Sequence, residues 1–213
     1  MKSVFNIPNS IFAPALRFAG YIFIVLAVVG LITLDAYNTN VKPFSEASWT
    51  EMSQLTVLFF CAAICLFMSY KYFFRRSAFL LAAFFAASFI REMDGFLDQW
   101  LGHGSWVYFV APLVIAALWF TWRHRSEFFN ELKLFLPSVA GGFFSCGFLT
   151  TYIFSRFFGR KFLWRSLMGE EYLRSVKMAA EESVELLGYA FLLFAVIELC
   201  VLAKNITVRR AGN

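Results

Sequence analysis

Charge is scarce in this 213-residue chain: 15% of its residues are Asp, Glu, Lys or Arg, against roughly 25% in an ordinary soluble domain. Histidine is scarcer still, with only His103 and His124, which are too few and too far apart in sequence for paired haem ligation. There is no H-E-x-x-H, no G-x-S-x-G and no Walker-type glycine-rich loop. Zincin, α/β-hydrolase and P-loop chemistry are therefore excluded by motif. No lysine sits in the middle of an apolar run, which removes a retinal-type Schiff base. The four cysteines, Cys61, Cys65, Cys146 and Cys200, all fall inside apolar stretches and none makes a CxxC pair in a loop. Cys61 and Cys65 have the i, i+4 spacing of a soft-metal pair. A cysteine in such surroundings more commonly serves as a small hydrophobe. Internal repeats and low-complexity segments are missing too.

What the chain has in abundance is apolar length. Hydrophobic residues make up 60% of it and aromatics 20%, including 29 Phe. They gather in six blocks, about residues 15–34, 53–70, 78–98, 106–122, 134–154 and 184–203. A helix needs about 20 residues to cross ~30 Å of hydrocarbon at 1.5 Å per residue. The expected fold is thus an all-α membrane protein with about six transmembrane helices in one bundle and no separate soluble domain. The Leu34-Asp35-Ala36-Tyr37 run lacks a small-x-small cleavage pattern, so the first block reads as an uncleaved anchor. Ser48 and Glu51 form an S-x-x-E capping box at the start of the second helix. Residues 91–98 read as a continuation of the third, ended by Gly102-His103-Gly104. In the fifth, Ser138/Gly142 and Gly141/Ser145 are small-xxx-small pairs that let two helix backbones approach. Residues 159–182 alternate Trp164, Leu167, Leu173 and Val176 with Arg165, Glu170, Arg174 and Lys177. An amphipathic interfacial helix before the last span is expected there.

The net charge is +5, but the basic residues flank apolar blocks rather than covering a face. The lipid bilayer is the expected partner and nucleic acid is not. With six spans and the N-terminus inside, eleven bases and three acids fall on the inner side, a net +8. Eight bases and eleven acids fall outside, a net −3. The positive-inside rule favours this orientation, a plasma (inner) membrane protein with both termini cytoplasmic.

The segregated acids lead to the one constellation with chemical content. Glu51 and Gln54 open the second helix; Arg91, Glu92, Asp94 and Asp98 close the third; Glu181, Glu182 and Glu185 open the sixth. Alternate spans reverse direction, so all three sets belong to one end of the bundle. Arg91, Asp94 and Asp98 fall at i, i+3, i+7, as do Glu182, Glu185 and Tyr189. Counted from Ser77, Arg91 lies ~21 Å and Asp94 ~25 Å along the helix, at the edge of the hydrocarbon. Charges at that depth face the bundle interior and are functional candidates. Glu51, Glu92, Asp94, Asp98, Glu182 and Glu185, with Gln54 and His103 nearby, suit a divalent metal ion through oxygen ligands. The same carboxylates suit a proton relay, or an acid/base pair acting on a membrane substrate with Arg91 or Arg156 on a phosphate. Each also has a plain structural explanation: helix-dipole acids at Glu181 and Glu182, an Arg91–Asp94/Asp98 ion pair, a cap at Glu51. Glu198 lies ~9 Å before Lys204, where pairing with an inner-side base or a place on an ion path would account for it. Three function classes remain open from sequence: a cation- or proton-binding membrane protein with a possible enzymatic role, a channel or transporter, and a non-catalytic subunit that binds other membrane subunits or itself.

Overall fold

The computed structural model describes residues 11–37 and 48–211. Of the residues counted above for orientation, Lys2, Lys42 and Glu46 lie outside these. Among the described residues there are helices and turns and no strand. The helices are α1 (Phe12–Tyr37), α2 (Trp49–Lys71), α3 (Arg75–Glu92), α4 (Asp94–Leu101) and α5 (Trp106–Arg123). They continue as α6 (Arg125–Phe135), α7 (Val139–Phe148), α8 (Ser155–Phe158), α9 (Lys161–Met168) and α10 (Arg174–Ala211). A π-helical turn, Leu149–Phe154, joins α7 to α8.

Four helices, α1, α2, α5 and α10, are long and apolar enough to cross a membrane. The count reaches five if α6 and α7–α8, bent by 95° at their junction, form one span. This is the make-up of a helical membrane protein. Six spans are not reached on length and composition: α3 has 18 residues, but Arg75, Arg76, Arg91 and Glu92 occupy its ends.

Three expected boundaries move, each for a local reason. The third helix does not run through to Asp98. It stops at Glu92: Met93 N–H makes the last bond of the ladder, to Phe89 O at 3.2 Å, shares it with Ile90 O, and the Asp94 side chain takes the Gly95 N–H at 2.7 Å. Asp and Gly both favour such breaks. The fifth apolar block divides at Pro137, which has no N–H to donate. Ser138 then caps α7 by accepting from Gly141 N at 3.2 Å. The amphipathic stretch before the last span is likewise divided, into α9, a 3-10 turn at Gly169–Glu171 and the first turns of α10. Residues Phe162 and Leu167 of α9 are exposed.

Helix α10 is the central element, packing against α1, α2, α7, the π turn and α8. Leu58, Cys61 and Cys65 of α2 meet Phe85 of α3 and Leu192 of α10 in one apolar cluster. The cysteines serve there as small hydrophobes. Close helix approach does occur, but not at the expected glycine. A Cβ on Gly142 would meet nothing within 4 Å, whereas one on Gly147 would stand 2.7 Å from Leu192 Cγ and 2.8 Å from Gly188 O. Ser145 is exposed and bonds back to Gly141 O at 2.9 Å. The small residues that bring α7 and α10 together are therefore Gly147 and Gly188.

Candidate functional site

At one end of the bundle the starts of α2 and α10 meet the ends of α3 and α8. Helix α2 enters under tight control. Ser48 Oγ accepts from Glu51 N at 3.2 Å, and the buried Asp35 carboxylate accepts from the N–H groups of Trp49 and Thr50, each at 2.8 Å. Thr50 Oγ1 donates to the same carboxylate. This fixes Gln54, one turn further on and buried, with Nε2 donating to Glu182 Oε2 at 3.0 Å.

On α10, Glu182, Glu185 and Tyr189 lie one turn apart. Tyr189 OH donates to Glu92 Oε1 at 2.7 Å, and Arg91 forms an ion pair with the same Glu92 oxygen. Glu185, 3% exposed, accepts from Ser155 Oγ at 3.0 Å and lies 3.4 Å from Arg156 Nη2. Beside them Ser88 Oγ and Tyr152 OH share a hydrogen bond of 2.6 Å. Lys177 pairs with Glu181 one turn down α10. Glu182 lies within electrostatic range of Glu51, Glu92 and Glu181.

The backbone makes room for these groups. The π turn holds Thr151 against α10, where Gly188 has no Cβ; one placed there would stand 2.0 Å from Thr151 Oγ1. Gly159 does the same for the Glu181 carboxylate, 2.2 Å from where its Cβ would be. Single π turns are frequent at functional sites. Here the wider turn delivers Thr151, Tyr152, Ser155 and Arg156 to the one face that meets Glu185 and Tyr189.

Five buried side-chain polar atoms among the described residues have no hydrogen-bond partner, and three border this network: Gln54 Oε1, Arg91 Nε and Thr151 Oγ1. An unmet buried group costs about 1–3 kcal/mol, so such a concentration calls for a reason.

Of the residues expected from sequence, Gln54 contacts Glu182, Tyr189 and Arg91 contact Glu92, and Glu185 lies within electrostatic range of Glu92 and Glu182, with Glu51 and Glu181 at the edge. The network does not take in four others. Asp94 is exposed and caps Gly95. Asp98 accepts from His103 Nδ1 at 2.8 Å and Gly104 N at 2.9 Å in the α4–α5 turn, so the expected Arg91–Asp94/Asp98 stripe does not form. Glu198 lies 13 residues beyond Glu185, ~20 Å along α10, and is held by Arg17 at 2.9 Å and Tyr21 OH at 2.7 Å. Leu186, Ala190 and Phe194 pack into one apolar cluster between the two glutamates, and Leu192 and Val196 into another. Among the described residues no group of three or more His, Cys, Asp or Glu is placed to hold a metal ion.

Sequence reasoning passed over Asp35, Ser88, Thr151, Tyr152 and Ser155. The available signal was Thr151 and Ser155 at i, i+4 in an otherwise aromatic stretch. Compared with family models, with curated proteins and with solved structures, the chain matches none.

Proposed function

We propose that this protein is a multi-pass membrane protein that binds a proton in the network around Glu182 and Glu185. The observation that carries the reading is a charge imbalance in a largely desolvated place, with Glu185 buried and Glu92 and Glu182 half-buried. Among the described residues, Glu92, Glu182 and Glu185 make direct contact with two cations, Arg91 and Arg156. One more positive charge is needed, and desolvated carboxylates are costly without it. A proton supplies it better than a metal ion. Each carboxylate has its own hydrogen-bond partner, Gln54, Tyr189 or Ser155, instead of converging with the others on a shared space. The orphaned Gln54 Oε1 adds an acceptor beside Glu182. A channel reading has less support, because the α10 segment between Glu185 and Glu198 is packed in apolar clusters.

The same proposal includes six spans, with α3 as the third, since residues 77–90 carry no charge and are packed between α2 and α5. It places α9 in the membrane interface through Phe162 and Leu167, and the α2–α3 turn on the cytoplasmic side of the plasma membrane.

Infrared difference spectroscopy of the full chain in lipid nanodiscs tests the site. A pH titration should give a protonated-carboxyl C=O band that Glu182→Gln or Glu185→Gln removes while the protein stays folded. A spectrum without such a band, or one that neither substitution alters, refutes the proton site.

A further inference from the structure

At the opposite end of the bundle, an apolar cavity of about 340 Å³ lies between α3, α5, α6 and α7. It falls within the roughly 300–1,000 Å³ of small-ligand pockets. Its wall along α3 runs from Ser77 to Ala87, ten residues or ~15 Å, which is half the ~30 Å hydrocarbon and so the depth of one leaflet. Leu118 and Leu136 line it and are more than half exposed, so it opens sideways between α5 and α6.

Ser77 is the one polar residue in the lining. It is 4% exposed and its Oγ has no hydrogen-bond partner. The hydroxyl is not needed as a helix cap. The buried Glu131 carboxylate already accepts from the N–H groups of Ser77 at 2.7 Å and Arg76 at 3.2 Å. A donor is thus left free in the wall of an apolar slot.

The helix ends at this level are basic: Arg75 and Arg76 open α3, Arg123 closes α5, and Arg125 and Lys133 lie on α6, against Glu127 and Glu131. Glu127 is taken by Arg76 at 2.8 Å. A second cavity of about 480 Å³ shares the Leu118 and Phe128 walls and includes Arg125, whose guanidinium lies 5.5 Å from the Trp122 ring. Arg123 stacks on Trp119 in the same way, at 5.7 Å. Tryptophans at this level are interfacial residues, and the arginines on them stand at headgroup height.

We infer that the cavity binds one acyl chain of an anionic glycerophospholipid, with its ester carbonyl on Ser77 Oγ and its phosphate at the Arg125 rim. The slot takes the tail, the free hydroxyl meets the one acceptor at the tail–headgroup junction, and the excess of bases selects negative charge. The site is independent of the proton network.

Native mass spectrometry of the delipidated full chain in detergent tests this, titrated with dioleoyl phosphatidylglycerol, dioleoyl phosphatidylcholine or oleate. The expected result is one phosphatidylglycerol per chain, about tenfold tighter than phosphatidylcholine, and no competition from oleate. Arg125→Gln should erase the headgroup preference, and Ala87→Phe, which fills the slot, should abolish retention with the thermal transition unchanged. Equal affinity for the two phospholipids in the parent, displacement by oleate, or full retention by Ala87→Phe would each overturn the site. If Ala87→Phe does not fold, Ser77→Ala decides: weaker phosphatidylglycerol binding supports the site and unaltered binding refutes it.

Discussion

Asp35 and Glu198 show what an apolar helix asks of a lone acid. Helix α1 buries little of itself, and its two ends are held by polar contacts: Asp35 to the first N–H groups of α2, and Arg17 with Tyr21 to Glu198 of α10. Removing Arg17 would leave the Glu198 carboxylate, 8% exposed, without its cation, and an acid left so is costly. Asp98 works differently, outside the spans. The His103 hydrogen bond, helped by the Gly104 N–H, holds its carboxyl below the usual carboxylate range. Such a group stabilises the folded form at pH above its unfolded value and loses that contribution as pH falls toward its folded one. Acidification through the ordinary Asp range and below should therefore loosen the Gly102–Ser105 turn. The protection factor of the Gly104 amide, its exchange rate corrected for the intrinsic slowing of exchange in acid, should fall with falling pH in the parent, and Asp98→Asn should flatten that dependence. An acid-insensitive Gly104 protection factor in the parent would contradict the role given to His103.

The elements show where periodicity informs and where it misleads. Spacing of i, i+3, i+7 on α10 put Glu182, Glu185 and Tyr189 on one face because that helix is uninterrupted. The same spacing failed for Arg91, Asp94 and Asp98 because Asp94 and Gly95 break the helix between them, and a stripe requires an unbroken axis. The π turn was beyond a 3.6-residue reading altogether, since it changes which residues share a face. Small residues mislead for another reason: composition shows that two helices can approach, not which face they use. Gly147→Ala should thus destabilise the protein by about 1–3 kcal/mol, the usual cost of overpacking, because its Cβ would meet backbone atoms Gly188 O at 2.8 Å and Leu192 N at 2.9 Å. Gly142→Leu should leave stability nearly unchanged. Thermal unfolding in detergent compares the two, and a larger loss for Gly142→Leu would mean that the other face of α7 makes the contact.

At the scale of the whole molecule, the shared end of the acids was legible because it depends only on counting reversals. Gln54 on Glu182 and Tyr189 on Glu92 bring α2, α3 and α10 together at that end. The number of spans is harder to read, and it turns on α3. Its charged ends disqualify it by composition, yet each edge holds an ion pair: Arg76 with Glu127 and Arg91 with Glu92. Between them the helix is uncharged. If α3 crosses, Lys71 and His103, both exposed, lie on opposite sides of the membrane. In a variant without native cysteines, Lys71→Cys and His103→Cys should then react from opposite sides with an impermeant maleimide. In the proposed orientation, with the basic α2–α3 turn on the cytoplasmic side, Lys71 is inside and only His103→Cys should label in intact cells. Labelling of Lys71→Cys alone would reverse the orientation and leave the bundle intact. Labelling of both from outside would remove α3 as a span, and Arg91 and Glu92 could then no longer lie at the far edge of the hydrocarbon from Arg76, where the proton site requires them.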